Sequence, residues 1–284
     1  MFAAFRGELF KTVRRPAVWV CVIVLLAIVL TIDGIEWLVY TFPPAGTSAN
    51  LPKGTTLADF KVTLYPINFV RVTLSSWNVL GGVFGLILGV LLQGSEFGWG
   101  TIKTLYIQRA GRLTMLLGKI AALAVVVLIL VVSLLAVSAA ASIVVALLDG
   151  KTIVLPPTDE IVRGLGAGFL IFGFWGIFGL ALATVFRQSA MAIGLGLAYA
   201  LVIEGLLLGL AAGFAGWVKQ VQQWFPVANT GYLADSFGTV EIRGVRAQPP
   251  PFADATHAVA VLLLYVILFI GISAVLTRNR DVTA

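Results

Sequence analysis

The chain is short of cysteine, histidine and charge, and each shortage excludes a class of protein. Its 284 residues include one cysteine, Cys21, and one histidine, His257. A lone cysteine forms no internal disulfide, and one histidine with one cysteine provides too few ligands for a typical zinc site. We therefore expect no disulfide framework and no metal centre.

Charged residues make up only 11% of the sequence, whereas hydrophobic residues make up 60% and the mean hydropathy is +1.02. Soluble domains carry about 25% charged and about 45–50% apolar residues. Because a water-soluble fold needs a charged surface, this composition excludes a soluble enzyme, a disordered protein and a nucleic-acid-binding domain. The net charge of +6 does not alter that conclusion.

Familiar catalytic motifs are also missing. Gly150-Lys151-Thr152 resembles the end of a phosphate-binding P-loop, but Val145 occupies the position of the required first glycine. No G-x-S-x-G or H-E-x-x-H sequence occurs. We predict no catalytic residue and no cofactor bound by this chain.

What the sequence has instead is uncharged runs long enough to cross a membrane. A spanning helix needs about 20 mostly apolar residues. Six such runs predict an all-α membrane protein with a single transmembrane domain over 1–284. The predicted spans are 17–37, 72–94, 118–148, 164–186, 189–213 and 258–276. Only Arg187 and Gln188 separate the fourth from the fifth, which predicts a tight helical hairpin.

The placement of lysine and arginine predicts the orientation, because cytoplasmic loops carry an excess of both. With six spans, the two termini share one side. That side collects 11 of the 19 basic residues and 3 of the 13 acidic ones, so its net charge is +8 against −2 for the rest. We expect both termini and the 95–117 loop in the cytoplasm. The abundance of alanine, valine and glycine favours the plasma membrane of a prokaryote.

Residues 1–15 predict an amphipathic helix lying in the cytoplasmic interface. Its apolar residues are spaced by three, four and four positions and share one helical face: Phe2, Phe5, Leu9 and Val13. Charged residues are predicted on the opposite face: Glu8, Lys11, Arg14 and Arg15. Pro16 then permits a sharp turn into the first span.

Glycines recur at intervals of four residues in two of the predicted spans. The two sets are Gly81, Gly85 and Gly89, and Gly205, Gly209 and Gly213. Small residues at this interval let helix backbones approach closely. The spacing predicts packing within the bundle, and contact with a second subunit is the alternative.

The predicted outer loop, 214–257, contains a candidate interfacial or re-entrant segment. Trp217, Val221 and Trp224 fall on one helical face, with polar residues elsewhere. Tryptophan favours the level of the lipid headgroups. We therefore expect the stretch 217–226 to lie at, or dip into, the outer membrane surface.

Three acidic residues lie within predicted spans. Glu204 is near the middle of the fifth span, where a carboxylate is costly and usually faces the protein interior or a water-filled cavity. It is a candidate for the translocation path, and a buried, hydrogen-bonded glutamic acid with a structural role is the alternative. Asp33 and Glu36, one turn apart near the outer end of the first span, are expected to be solvated.

The loop between the second and third spans carries the most informative pattern. It has the form E-x-x-x-G-T-x-K-x-L, followed by an arginine and then a lysine at the third span. The matching residues are Glu96, Gly100, Thr101, Lys103, Leu105, Arg112 and Lys119. The sequence here resembles the permease subunits of ATP-binding cassette (ABC) transporters of the type-two, exporter class. The opening helix and the six-span layout are similar to that family as well.

The resemblance implies that the chain forms a translocation pathway and exports a substrate. ATP and Mg²⁺ would bind a separate cytoplasmic ABC ATPase subunit, which would dock on the 95–117 coupling loop and the N-terminal helix. A second permease copy or a homologue would complete the pathway in the lipid bilayer. Charges such as Glu96 and Lys103 would position the loop in a cleft of the ATPase.

Two alternatives remain open. The cations of the loop would also suit an ordinary interfacial segment near anionic lipid headgroups. The whole chain would also fit a stand-alone secondary transporter or an intramembrane enzyme without an ATPase partner. A secondary transporter commonly shows internal repeats, and no repeat is visible in this sequence.

Overall fold

The computed structural model describes residues 2–44, 51, 54–98, 111–214, 216–242, 245 and 253–279. Within these ranges the chain is helical and contains no strand. The helices are α1 (Phe2–Val13), α2 (Pro16–Thr41), α3 (Leu57–Phe60), α4 (Phe69–Gly98), α5 (Arg112–Leu148), α6 (Thr158–Phe186), α7 (Ser189–Leu197), a π-helix (Ala198–Leu208), α8 (Gly209–Phe214), α9 (Gly216–Gln222), α10 (Pro226–Asp235) and α11 (Ala255–Asn279). Short 3₁₀ turns, Lys61–Leu64 and Pro66–Asn68, connect α3 to α4.

Six helical segments in the described ranges are long and apolar enough to cross a membrane, as the sequence predicts. They are α2, the stretch Pro66–Ser95, α5, α6, the stretch Ser189–Ala211 and α11. Several extend past the predicted limits, because an uncharged run is shorter than a helix whose ends carry charged residues. Helix α6 begins at Thr158 instead of 164, and it carries Asp159 and Glu160 in its first turn. Acidic residues are favourable there because they face the positive end of the helix dipole.

One end of the bundle collects α1, the start of α5 and the end of α11. A Cβ atom on Gly118 of α5 would lie 3.1 Å from the backbone of Ala4, so α1 packs directly on α5. At the same end Arg112 Nη1 donates to the carbonyl of Arg278, at 3.3 Å. We call this the α1 end and the opposite end the far end. The assignment of the α1 end to the cytoplasm stays a prediction from charge.

The core is built around α4 and α6, which approach each other at glycines. A Cβ atom on Gly81 would lie 2.6 Å from Phe172 Cε1, and one on Gly85 would lie 2.9 Å from the Phe172 carbonyl oxygen. A Cβ atom on Gly89 would collide with the carbonyl oxygen of Gly176. The predicted packing role of this glycine set is therefore confirmed. Phe178 of α6 extends the core to α11, because its ring centroid lies 5.1 Å from that of Phe269.

The predicted hairpin between the fourth and fifth spans is confirmed. Helix α6 ends at Phe186, and Arg187 follows in the left-handed conformation with φ 55° and ψ 22°. A left-handed residue at this position commonly terminates a helix. Helix α7 then begins at Ser189, whose hydroxyl oxygen would lie 2.5 Å from a Cβ atom on Gly94 of α4.

The fifth span differs from the uninterrupted α-helix that its composition predicts. After Leu197 the chain forms a π-helix of 11 residues, Ala198–Leu208, before α-helical geometry resumes at Gly209. No proline or charge cluster marks this change in the sequence. Such widened turns are frequent at functional sites. The π-helix contains Glu204.

Candidate functional site

Both ends of the predicted coupling loop are helical in the described part of the chain. The predicted loop, 95–117, corresponds to helix up to Gly98 and again from Arg112. Arg112 is thus the first residue of α5, and the backbone of Glu96 lies in the last turns of α4. The other predicted loop residues lie outside the described residues: Gly100, Thr101, Lys103 and Leu105.

Helix α1 is present, and one residue of its predicted charged face is buried. Glu8 is only 5% exposed, although its position predicts a solvent-facing carboxylate. The reason is the contact with α5, where Gly118 leaves room for α1. Burial of the Glu8 carboxylate is compensated by Lys11, whose Nζ lies 2.6 Å from Oε1. Thr12, the other buried polar residue of α1, donates to the Glu8 carbonyl at 2.7 Å.

The remaining cations of the N-terminal segment have different surroundings. The Arg14 guanidinium lies over the exposed Phe10 ring, 4.7 Å from its centroid, which is a cation–π arrangement. Arg15 precedes α2 and reaches α4, where Nη1 donates to the Leu91 carbonyl at 2.9 Å and to Ser95 Oγ at 2.7 Å. Ser95 lies one turn after Leu91 and its hydroxyl also donates to the Leu91 carbonyl, at 2.6 Å, so the three groups form one hydrogen-bonded cluster.

A second cation ties α5 to the same part of α4. Lys119 is 6% exposed, and its Nζ donates to Gln93 Oε1 at 2.9 Å. Arg15 and Lys119 therefore connect α2 and α5 to the last turns of α4, directly before the predicted coupling loop. The sequence pattern singles out Lys119, but it does not indicate Gln93 as the partner.

Glu204 lies in the π-helix and is 2% exposed. Its Oε1 accepts a hydrogen bond from the backbone N–H of Ala228, at 2.6 Å. Ala228 is in the first turn of α10, where N–H groups have no partner within the helix. The residue preceding α10, Phe225, makes no side-chain cap. The carboxylate therefore caps α10 from another helix, and this is a structural role.

The surroundings of Glu204 are otherwise apolar or phenolic. Tyr199, Tyr232 and Tyr265, from the π-helix, α10 and α11, lie within electrostatic range of the carboxylate. The Tyr199 hydroxyl and the backbone N–H of Val227 also interact with the carboxylate, while Oε2 meets no donor in well-aligned hydrogen-bond geometry among the described residues. The contact with α10 favours the structural interpretation. A role in translocation stays a prediction.

The predicted interfacial or re-entrant segment, 217–226, covers most of α9 and ends at the first residue of α10. Trp217 of α9 is 68% exposed, and its position at the membrane surface stays a prediction. After Pro226 the chain enters the bundle as α10, which contacts α4, α6 and α11 and fully buries Asn229 and Thr230. Sequence reasoning missed α10 because its N-terminal cap, Glu204, lies 22 positions before Pro226.

Two ion pairs hold the far end together. Lys61 Nζ lies 3.0 Å from Asp149 Oδ1, and the Tyr65 hydroxyl donates to Oδ2 at 3.2 Å. Burial by itself would raise the pKa of Asp149, but the hydrogen bonds from Lys61 and Tyr65 and the charge of Lys61 outweigh it and lower that pKa. Arg71 of α4 forms two hydrogen bonds to the Glu160 carboxylate of α6, at 2.9 and 3.1 Å.

Comparison with protein families and curated proteins identifies no relative of this chain. No protein-family model matches the sequence, and no curated protein matches it. The residues and contacts described above are therefore the only support for a functional assignment.

Proposed function

We propose that the chain is the membrane-spanning permease subunit of an ABC transporter, coupled to a separate cytoplasmic ATPase and exporting a substrate. The observation that carries the proposal is the position of the loop pattern. The segment with Glu96, Gly100, Thr101 and Lys103 connects two apolar helices, α4 and α5, at the end of the bundle where α1 packs. A permease without its own ATPase needs such a contact surface for its partner.

The contacts at the α1 end provide a route for force from that loop into the bundle. Arg15 fastens α2 to the end of α4, and Lys119 fastens α5 to the same turns. α1 packs on α5 at Gly118. A displacement of the loop by an ATPase would therefore move α1, α2, α4 and α5 together. Closure of an ATP-bound ATPase pair would tilt these helices and open the pathway outward.

The fifth span is the proposed contact with a second permease copy or a homologue. Its glycines repeat every four residues, yet a Cβ atom on Gly209 or Gly213 would meet no described atom within 4 Å. Neighbouring apolar side chains are exposed, including Leu206 and Leu210 at 53% and 57%. This face is free to contact a second subunit or lipid in the plasma membrane of the proposed prokaryotic host.

Co-purification tests the ATPase coupling. The tagged full chain would be extracted in mild detergent from its own host, where a gene encoding a P-loop ATPase is expected beside its own. We expect ATPase activity to co-purify with the chain. The double substitution Glu96→Gln with Lys103→Ala should reduce the bound ATPase at least tenfold without lowering expression.

The matched control is Lys151→Ala, an exposed lysine at the far end. It removes one positive charge, as Lys103→Ala does, and should leave the bound ATPase unchanged. Retention of the ATPase and of function in the loop double variant would contradict the proposal. It would favour the stand-alone transporter or enzyme instead.

A further inference from the structure

A small cavity with five oxygen-bearing side chains in a largely apolar wall lies among α2, α4 and α5, towards the far end. Its volume is about 30 Å³. The polar side chains in its wall are Asp33, Thr63, Thr73, Ser138 and Ser142, and apolar side chains complete the wall. Ser138 lies ten residues before the end of α5, which corresponds to a depth of about 15 Å along the helix.

Two of these polar groups, Ser138 and Asp33, lack a hydrogen-bond or ion-pair partner within the described structure. Ser138 is 6% exposed, and its buried Oγ makes no hydrogen bond within the described part of the chain. Asp33 forms no ion pair with any described residue, and the charged group acting on it is a second carboxylate, Glu36. The sequence predicts a solvated Asp33, but in the structure its side chain is half-buried. An unpaired carboxylate at this depth calls for a compensating positive charge.

The neighbouring hydroxyl groups are arranged as acceptors. Ser142 Oγ donates its proton to the Ala139 carbonyl at 2.8 Å, and Thr63 Oγ1 donates to the Phe60 carbonyl at 2.7 Å. A hydroxyl group that donates its proton in this way keeps its lone pairs for another partner. No basic residue lines the cavity, and the nearby Lys61 is engaged by Asp149.

We propose that this cavity binds a small monovalent cation, Na⁺, through the Asp33 carboxylate and the hydroxyl oxygens of Ser138, Ser142, Thr63 and Thr73. Hard cations prefer oxygen ligands of this kind. One carboxylate in the cavity wall balances one positive charge. A water-sized species needs about 10–15 Å³, so a cavity of about 30 Å³ has room for an ion of this size.

A divalent ion fits the same wall less well. Calcium sites in proteins commonly use several carboxylates, and no group of three or more His, Cys, Asp or Glu side chains that could hold a metal exists among the described residues. The cation site does not depend on the proposed transporter function, since it would exist in any protein with this bundle.

Binding of radioactive ²²Na⁺ to the purified full chain in detergent tests the proposal, measured by a scintillation proximity assay. We expect saturable binding that excess NaCl displaces and choline chloride does not. Asp33→Asn should weaken binding at least tenfold, and Ser138→Ala several-fold. The matched control is Ser133→Ala on the same helix, whose hydroxyl group donates to the Leu130 carbonyl and does not line the cavity. It should bind Na⁺ as the unmodified chain does.

Thermal unfolding gives a second readout on the same samples. Bound Na⁺ should raise the midpoint by about 3 °C over choline chloride at equal ionic strength, and Ser138→Ala should reduce this difference. Absence of saturable binding, or full binding by Asp33→Asn, would overturn the proposal and assign the cavity to water or a protonated Asp33. If Asp33→Asn does not fold, the comparison of Ser138→Ala with Ser133→Ala decides, and equal binding by those two variants overturns the site.

Discussion

Two spans of this chain carry the same glycine spacing and behave in opposite ways. In α4, Gly85 and Gly89 lie against the backbone of α6, and an added Cβ atom would meet Phe172 and Gly176. In the fifth span, an added Cβ atom on Gly209 or Gly213 would meet nothing within 4 Å in the described structure. The spacing therefore indicates that a helix can be approached closely, but not what approaches it.

Each of these two regions also contains one buried carboxylate. In the closely packed region Glu160 of α6 pairs with Arg71 of α4, which reinforces a contact that is already extensive. In the loosely packed region Glu204 caps α10 and is a principal polar link between the π-helix and the rest of the bundle. We infer that α4 and α6 form a rigid frame, whereas the fifth span is held by fewer contacts.

The largest effect is expected for Gly89→Ala. The new methyl group would collide with the Gly176 carbonyl oxygen, so the two helices must separate. Overpacking of this kind costs about 3 kcal/mol, and a clear fall in the thermal midpoint of the detergent-purified chain should report it.

Gly209→Ala is the matched control for that substitution. The same methyl group meets open space there, and alanine favours a helix over glycine by up to about 1 kcal/mol. Its midpoint should be unchanged or slightly raised. Equal losses of stability in both variants would contradict the conclusion that Gly89 is closely packed and Gly209 is not.

The next effect concerns the ion pair of the frame. Glu160→Gln leaves the Arg71 guanidinium at a contact built for a carboxylate, which should cost about 2 kcal/mol because the pair is partly buried. Adding Arg71→Gln should recover part of the loss, and a double-mutant cycle on thermal midpoints measures the coupling. Additive losses would show that the two side chains act independently.

A smaller effect is expected at the carboxylate of the loose region. Glu204→Ala removes the cap of α10 and should cost about 1 kcal/mol, as for other helix caps. Glu204→Gln keeps an acceptor oxygen and should cost less, as measured by thermal midpoint and by protease sensitivity around 226–242. Identical behaviour of the two variants would argue against capping. Wild-type transport by Glu204→Gln would rule out the translocation role.

Local signals were enough to predict the spans and the hairpin. Local composition is sufficient to predict the six apolar spans. Arg187 and Gln188 predict the turn, because a two-residue connection between the fourth and fifth spans forces them into a hairpin. Helices α5 and α6 each start six residues before the predicted limit, because a search for uncharged runs excludes flanking segments that carry charges such as Arg112 and Glu160. Those charges are accommodated by partners elsewhere in the chain.

What could not be predicted depends on contacts between distant residues. Glu8 is buried because Gly118 admits α1, and α10 is stable without a local cap because Glu204 supplies one. The pairs Lys61–Asp149 and Arg71–Glu160 join residues 88 and 89 positions apart. The π-helix has no local signal either. The coupling role of Lys103 stays a prediction.

The smallest effect is a pH dependence at the far end, where Asp149, directly after α5, connects the end of that helix to the turns before α4. Because Lys61 and Tyr65 lower the pKa of Asp149 in the folded chain, the folded state binds its proton less readily than the unfolded state. This stabilisation is fully present above the ordinary aspartate pKa of about 3.9 and is lost as the pH falls through that value towards the lower folded pKa.

Thermal midpoints between pH 6 and pH 3 measure that loss, which should not exceed about 1 kcal/mol for one ion pair at the edge of the bundle. Other carboxylates titrate in the same range, so the informative quantity is the difference between the unmodified chain and Asp149→Asn. The two curves should be apart at pH 6 and converge as the pH falls. A constant separation would mean that Asp149 acts only through its size and neutral hydrogen bonds. The contact between the end of α5 and the turns before α4 would then depend on packing, as the α4–α6 contact does.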